Sequence, residues 1–155
     1  MKCRHATAKD WIGISTVLVS SYNISSKKEA LATIKSETNK GHNYIVAIDG
    51  KKIAGIVTWL PHGLPKHQLA ELDRIAVLPE YRGKGVAHQL LKALIQDANK
   101  CYKKNKSKLR KLYLLTHSDN TRAHRFYEKM GFTHETTLKE HYYKDKDEFV
   151  YSMFF

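Results

Sequence analysis

Residues 72–87 read LDRIAVLPEYRGKGVA, in which a strand-like segment leads through a glycine-rich turn into an apolar-periodic helix. The strand covers about residues 69–78, and its apolar side chains fall first at Ala70 and Leu72 and then at Ile75 and Val77. Since the side chains of a strand alternate between two faces, this order contains a slip of one residue. The slip predicts a β-bulge near Asp73-Arg74, which would splay the strand from its neighbour and open a slot beside it.

The turn at the end of this stretch has the composition of an anion-binding site. Its residues are Arg82, Gly83, Lys84, Gly85, Val86 and Ala87. A helix N-terminus exposes unpaired N–H groups with partial positive charge, and glycine lets the backbone approach a phosphate closely. The segment is neither a Walker A loop nor a dinucleotide-binding motif, because it lacks Gly-Lys-Ser/Thr and His88 replaces the third glycine. Its residues alone fit either a pyrophosphate-sized anion or an ordinary turn before a helix.

The rest of the chain alternates strand and helix signals without a linker or repeat, so we expect one domain over residues 1–155. A strand–helix–strand unit over residues 69–116 predicts a parallel crossover within a mixed sheet. The order β-α-α-β-β-β-α-β-α-β-β predicts about seven strands and about four helices. The expected segments are a strand at 2–6, helices from about 8 and over 26–39, strands at 43–48 and 52–60, a loop at 61–65, a strand at 69–78, a helix at 85–102, a strand at 112–116 covered on both faces, a helix from 120 and two strands within 134–155.

Charge and cysteine content limit the classes of function. The net charge is +12, and seven of the twelve residues from Lys100 to Lys111 are Lys or Arg. This cluster follows a helix end, where the dipole favours cations, so we interpret it as solvated surface and expect no specific nucleic-acid binding. No apolar run approaches the roughly 20 residues needed to span a bilayer, and no secretory signal begins the chain. Two cysteines, Cys3 and Cys101, form no disulfide framework. We therefore expect a cytoplasmic protein with no membrane partner and no metal site.

Three ordered blocks of the chain resemble the GNAT N-acetyltransferase superfamily. The superfamily's cofactor motif, Arg/Gln-x-x-Gly-x-Gly/Ala, is met by Arg82, Gly85 and Ala87. Residues 72–79, LDRIAVLP, resemble its bulged fourth strand, and residues 120–132, NTRAHRFYEKMGF, are similar to its second motif. The resemblance implies a centrally splayed sheet and an acetyltransferase that uses acetyl-CoA as the acetyl donor.

The resemblance also implies roles for backbone groups. Those of Ile75, Ala76 and Val77 would bind the pantetheine arm as an added strand. The Ile75 amide would polarise the thioester carbonyl, as a donor of an oxyanion hole does. The amides of residues 83–87, with Arg82, would hold the pyrophosphate.

Two side chains of the second motif have implied roles and ordinary alternatives. Asn120 would contact the pantetheine, but Asn is also a leading N-cap residue. Tyr127 would lie beside the thioester sulfur and protonate the departing thiolate. It also lies on the apolar stripe of its helix, which by pattern alone favours packing in the core.

The general base is less defined. Glu71 lies six residues before Val77, the spacing at which the resemblance places the base of histone acetyltransferases. Partial burial would raise the pKa of its carboxyl toward a useful value. Asp73, His117 and a chain of waters are alternatives.

The sequence thus predicts direct acetyl transfer from acetyl-CoA to a primary amine of a small molecule. A protein lysine or N-terminus as acceptor, and a CoA-binding sensor without catalysis, are the alternatives that we retain. The residues point to no particular acceptor, and they leave a homodimer open.

Overall fold

Seven strands form one sheet, and four helices pack against its two faces. The computed structural model describes residues 1–155. The order of the elements is the predicted one. They are β1 (Lys2–His5), α1 (Trp11–Ser21), α2 (Lys27–Asn39), β2 (Asn43–Asp49), β3 (Lys52–His62), β4 (Leu69–Val77), α3 (Val86–Lys103), β5 (Lys111–His117), α4 (Thr121–Lys129), β6 (Thr133–Tyr143) and β7 (Lys146–Phe154).

The strands are ordered β1-β2-β3-β4-β5-β7-β6 across the sheet. Only β4 and β5 run parallel, and every other neighbouring pair is antiparallel. The parallel pair needs a crossover, which α3 supplies as predicted. The sheet is therefore mixed, with its parallel pair at the centre.

The predicted bulge in β4 is present. Thr58 of β3 lies opposite Arg74 and the next residue, Trp59, lies opposite Leu72, so Asp73 is the extra residue on β4. The Arg74 N–H donates a hydrogen bond to the Thr58 hydroxyl at 3.0 Å. Leu72 packs in the core beneath α3, whereas Ala76 packs in the core beneath α1 and α2. The one-residue slip in the sequence is thus the change of face that the bulge produces.

Beyond the bulge, β4 and β5 separate. They pair only where Leu69–Glu71 runs beside Lys111–Tyr113. β5 continues against β7 as far as His117, while β4 continues against β3 as far as Val77. The edge of β4 from Leu72 to Val77 therefore has no neighbouring strand on the β5 side.

Helix caps fix where the helices begin. Asp10 accepts from the Thr7 N–H at 2.7 Å and pairs with Arg4, which ties β1 to the start of α1. Ser26 caps α2 by accepting from the Glu29 N–H. These contacts match the capping signals of the sequence. No helix combines the length and hydropathy that crossing a bilayer requires.

Two details of the strands differ from the prediction. β3 continues through Pro61 and His62, where the sequence predicted a loop. Since β2 begins at Asn43, opposite Trp59, β3 has no neighbouring strand on the β2 side at Pro61 that would need an N–H from the proline. β5 alternates buried and half-buried residues, so it is not covered equally on both faces.

Candidate active site

The loop before α3 presents a run of free backbone donors. None of the N–H groups from Gly83 to His88 donates to an acceptor in the protein. Gly83 and Gly85 have positive φ angles of 74° and 77°, and a Cβ on either would meet nothing within 4 Å. The amides of a helix N-terminus and an open approach to them are together the geometry of an anion-binding site.

The two cationic side chains of this loop lie at its surface. Arg82 donates from Nε to the Val77 carbonyl at 3.0 Å, and its remaining guanidinium N–H groups make no hydrogen bond with the protein. Lys84 is exposed, with Nζ 5.7 Å from the centre of the Tyr81 ring. Both side chains can therefore supply charge to a phosphate at the loop.

The open edge of β4 leads from this loop to the centre of the sheet. On this edge the Val77 carbonyl is bonded to Arg82. The Ile75 N–H and C=O are both bonded to the hydroxyl of Tyr22. These are groups that the sequence prediction assigns to pantetheine and thioester. They lie on the unpaired part of β4, where an extended ligand can add as a strand.

Tyr127 combines the two properties that the sequence left as alternatives. Its ring packs in the core beneath α3, edge-on to Phe132 at 5.7 Å between centroids. Its hydroxyl makes no hydrogen bond with the protein, although the residue is only 9% exposed. The oxygen itself keeps some exposure, because no fully buried side-chain polar atom of the protein lacks a partner. Burial of the residue raises the pKa of this phenol, so the hydroxyl keeps its proton near neutral pH. An O–H without a protein acceptor is available as a proton donor.

Asn120 is the N-cap of α4. Its Oδ1 accepts from the Ala123 N–H at 3.2 Å. The capping role that the sequence offered as an alternative is therefore the one that the structure displays. A pantetheine contact through the side-chain NH₂ stays a prediction.

Glu71 lies at the last paired position of β4, where the two strands begin to separate. Its carboxylate is within 2.7 Å of His62 Nε2 and accepts from the Tyr113 hydroxyl at 3.3 Å. The side chain is 17% exposed. The carboxylate is thus held by two neighbours at the mouth of the slot, and its role as base stays a prediction.

Asp73, at the bulge, is the second carboxylate of this region. It lies 3.5 Å from His42 Nε2, while the adjacent Arg74 pairs with Glu37 of α2. Burial is the largest influence on Asp73 and raises the pKa of its carboxyl. A carboxylate with a raised pKa is a stronger base than an exposed one, so Asp73 remains an alternative to Glu71.

A third carboxylate completes an acidic cluster, which comprises Glu71, Asp73 and Glu148. Glu148 of β7 is 2% exposed and bonds to His117 Nδ1. Burial raises the pKa of the Tyr142 phenol, and the negative charges of Glu71, Glu148 and Asp73 add to this effect. A protein with a net charge of +12 thus carries a local concentration of carboxylates beside the slot.

Comparison of the sequence with models of known families identifies the family of this chain. The model of the acetyltransferase (GNAT) family matches residues 11–132. The chain belongs to the GNAT family. This match contains the bulged strand, the anion-binding loop and the helix with Tyr127.

Similar proteins include enzymes with different acceptors. A spermidine N(1)-acetyltransferase from Escherichia coli K12 is 35% identical over 100 residues, or 64% of this chain and 50% of the relative, so the chain spans about half that relative's length. An aminoglycoside 6′-N-acetyltransferase complexed with coenzyme A has a TM-score of 0.80 at 14% identity, covering 99% of this chain and 97% of the other. The ribosomal-protein-S18-alanine N-acetyltransferase of Escherichia coli has a TM-score of 0.76 at 20% identity, with coverages of 98% and 92%. These structures share the GNAT fold and do not define the acceptor.

Two features lie outside this GNAT site. Burial raises the pKa of both Cys3 and Cys101, which lowers their reactivity as nucleophiles. The basic cluster of residues 100–111 begins at the C-terminal end of α3. The 18-residue helix places it about 27 Å from the anion-binding loop.

The sequence did not indicate Glu37 and Glu148 as neighbours of the site. Nor did it indicate the contact of Tyr22 with Ile75 or that of His62 with Glu71. Tyr22 and Glu37 come from helices whose contact with β4 no local pattern encodes. Glu148 carried no local signal, because it follows Lys146 and Asp147 in a charged stretch. His62 was placed in a loop, and only the longer β3 brings it to Glu71.

Neutralising Asp73 of β4 and neutralising Asp10, which precedes α1, should change the stability of the protein in opposite directions. The raised pKa of Asp73 means that the folded state loses stability as pH rises above about 4, so Asp73→Asn should raise the free energy of unfolding at pH 7. The pKa of Asp10 is lowered, first by its hydrogen bond with Arg4, so Asp10→Asn should cost about 1 kcal/mol at pH 7.

Urea unfolding at pH 7 and pH 4 measures both effects. The Asp73→Asn difference should shrink at pH 4, because there the folded Asp73 carboxyl becomes protonated. The Asp10→Asn difference should largely persist at pH 4 and be lost only at lower pH, as pH falls through the lowered pKa of the folded state. Changes of the same sign in the free energy of unfolding of the two variants at pH 7 would contradict the environments assigned to Asp73 and Asp10.

Proposed function

We propose that this protein transfers an acetyl group from acetyl-CoA directly to a primary amine of a small, cationic molecule. The observation that carries the proposal is the run of free amides from Gly83 to His88, next to the unpaired edge of β4. One surface thereby offers donors for a pyrophosphate and, along the strand, groups for a peptide-like arm. Coenzyme A contains both parts in this order, and family membership supports it as the ligand.

The donor side of the slot supplies two catalytic groups. The Ile75 N–H can donate to the thioester oxygen, where negative charge develops as the amine attacks. Tyr127 can donate its proton to sulfur as the C–S bond breaks, since its hydroxyl is free and its raised pKa keeps it protonated. Together they stabilise charge on oxygen and on sulfur.

The acceptor side must bind an ammonium group and remove its proton. The acidic cluster suits the first task, since carboxylates attract cations in an otherwise basic protein. Glu71 is our proposed base, with Asp73, His117 and water as the alternatives. The base takes one proton from the ammonium before the amine attacks. The nitrogen loses a second proton as the C–N bond forms and the C–S bond breaks, and this proton restores the Tyr127 phenol after Tyr127 has protonated sulfur. The products are the acetamide and the CoA thiol, with one proton left on the base.

Two arguments favour a small cationic amine over a protein. The carboxylates lie beside the slot, so that more than one can contact a compact acceptor with several charges. The curated relative described above, 35% identical over 100 residues, is named a spermidine N(1)-acetyltransferase. Spermidine is therefore the acceptor class that we propose to test first.

The anion-binding loop gives a direct test of the donor. Acetyl-CoA should raise the melting temperature of the parent protein, because a ligand that binds only the folded state stabilises it. Gly85→Asp places a carboxylate against the pyrophosphate and should abolish the rise. Thermal unfolding with and without acetyl-CoA is the measurement.

Gly85→Asn is the matched control. Asn has the shape of Asp without its charge, and both residues tolerate positive φ better than most. We expect Gly85→Asn to retain most of the ligand-induced rise. An equally full response of Gly85→Asp would refute the pyrophosphate site.

Tyr127→Phe tests the proton donor. Single-turnover acetylation of spermidine should slow by about a hundredfold, the lower range for loss of acid catalysis. Stability should change little, because the Tyr127 hydroxyl makes no hydrogen bond with the protein. Tyr151→Phe is the control, since its buried hydroxyl donates to Glu128 and its removal should lower stability without slowing transfer. An unchanged single-turnover rate in Tyr127→Phe would leave this residue with packing alone.

A further inference from the structure

The side chain of Tyr22 forms hydrogen bonds with both backbone groups of Ile75. The Tyr22 hydroxyl accepts from the Ile75 N–H at 3.1 Å and donates to the Ile75 carbonyl at 3.0 Å. Tyr22 is the first residue after α1 and lies outside the three sequence blocks that resemble the family. It makes the two hydrogen bonds that a neighbouring strand would make with Ile75.

The surroundings hold the Tyr22 ring in this position. The guanidinium carbon of Arg74 lies 5.4 Å from the ring centroid, a cation–π distance. Arg74 is itself fixed by its ion pair with Glu37 of α2. The contact with Ile75 is thus built from α1, α2 and β4 together.

This contact conflicts with the role of the Ile75 amide. An N–H has one hydrogen, and a well-directed hydrogen bond serves one acceptor. A thioester oxygen that accepts from Ile75 must therefore take the position of the Tyr22 oxygen. We propose that the Tyr22 hydroxyl competes with the thioester oxygen of acetyl-CoA for the Ile75 N–H, and so weakens binding of the acylated donor. This inference rests on the proposed function.

The competition discriminates between donor and product. Free CoA ends in a thiol and has no carbonyl at this point, so the Tyr22 hydroxyl can keep its hydrogen bond with the Ile75 N–H while CoA is bound. The cost of breaking this hydrogen bond falls on acetyl-CoA alone. Tyr22 is then a residue that sets the relative affinity for acetyl-CoA and CoA.

Tyr22→Phe removes the competing hydroxyl and keeps the ring beneath Arg74. Calorimetric titration of the variant should show acetyl-CoA binding about fivefold tighter than in the parent protein, the size of one net hydrogen bond. The affinity for CoA should change by less than about twofold, because no competing contact is lost.

Tyr44→Phe is the matched control. The Tyr44 hydroxyl bonds to Glu37, in the same group of side chains as Arg74, but not to the open edge of β4. This variant should leave the ratio of the two affinities unchanged. It separates an effect at Ile75 from a general disturbance of the region.

The outcomes distinguish this inference from the proposed function. If the parent protein binds both ligands and Tyr22→Phe leaves the ratio unchanged or shifts it toward CoA, the competition is overturned and the proposed function stands. If the parent protein binds neither acetyl-CoA nor CoA, the proposed function fails and the competition fails with it.

Discussion

The end of strand pairing between β4 and β5 is the constraint on which the site depends. The two strands are neighbours at Leu69–Glu71 and no longer neighbours beyond it. Backbone N–H and C=O groups require hydrogen-bond partners. Where β4 loses its neighbouring strand in the middle of the sheet, its free backbone groups must therefore bond to side chains, water or a ligand. Here side chains of Tyr22 and Arg82 bond to it, and an extended ligand could do the same. The bulge at Asp73 changes the face of β4 at the same point.

The two sides of the slot carry charged groups of opposite sign. At one end, the loop before α3 combines unpaired amides with Arg82 and Lys84, and it suits an anion. On the other side, the acidic cluster suits a cation. The high net positive charge of the chain is therefore a poor guide to the acceptor, because Glu71 and Asp73 of β4 place carboxylates beside the slot. The cationic segment at residues 100–111 lies at the far end of α3 and belongs to neither side.

The sequence predicted best those features that depend only on residues close together in the chain. The slip between Leu72 and Ile75 predicted the bulge, since strand periodicity leaves no other simple account of it. The glycines at positions 83 and 85 and the apolar stripe of α3 predicted the loop and its helix. Asn120 was correctly offered as a cap, because capping depends only on neighbouring residues.

Contacts between distant elements could not be predicted in this way. Tyr22 and Ile75 are 53 positions apart, and Glu148 meets His117 only because β7 pairs with β5. No periodicity encodes which helix end reaches which strand. The continuation of β3 through Pro61 was also missed, because proline usually marks a break unless one side of the strand is free.

We propose that one slot joins an acetyl-CoA site to a carboxylate-lined site for a small cationic amine. Release of the CoA thiol from acetyl-CoA tests this most directly, with spermidine and a short peptide carrying an N-terminal alanine as rival acceptors. We predict that kcat/KM for spermidine is higher than for the peptide by at least about tenfold, equivalent to roughly 1.4 kcal/mol of discrimination. Equal or faster release with the peptide would contradict the small cationic acceptor. Binding of acetyl-CoA without release by either amine would contradict catalysis with these acceptors.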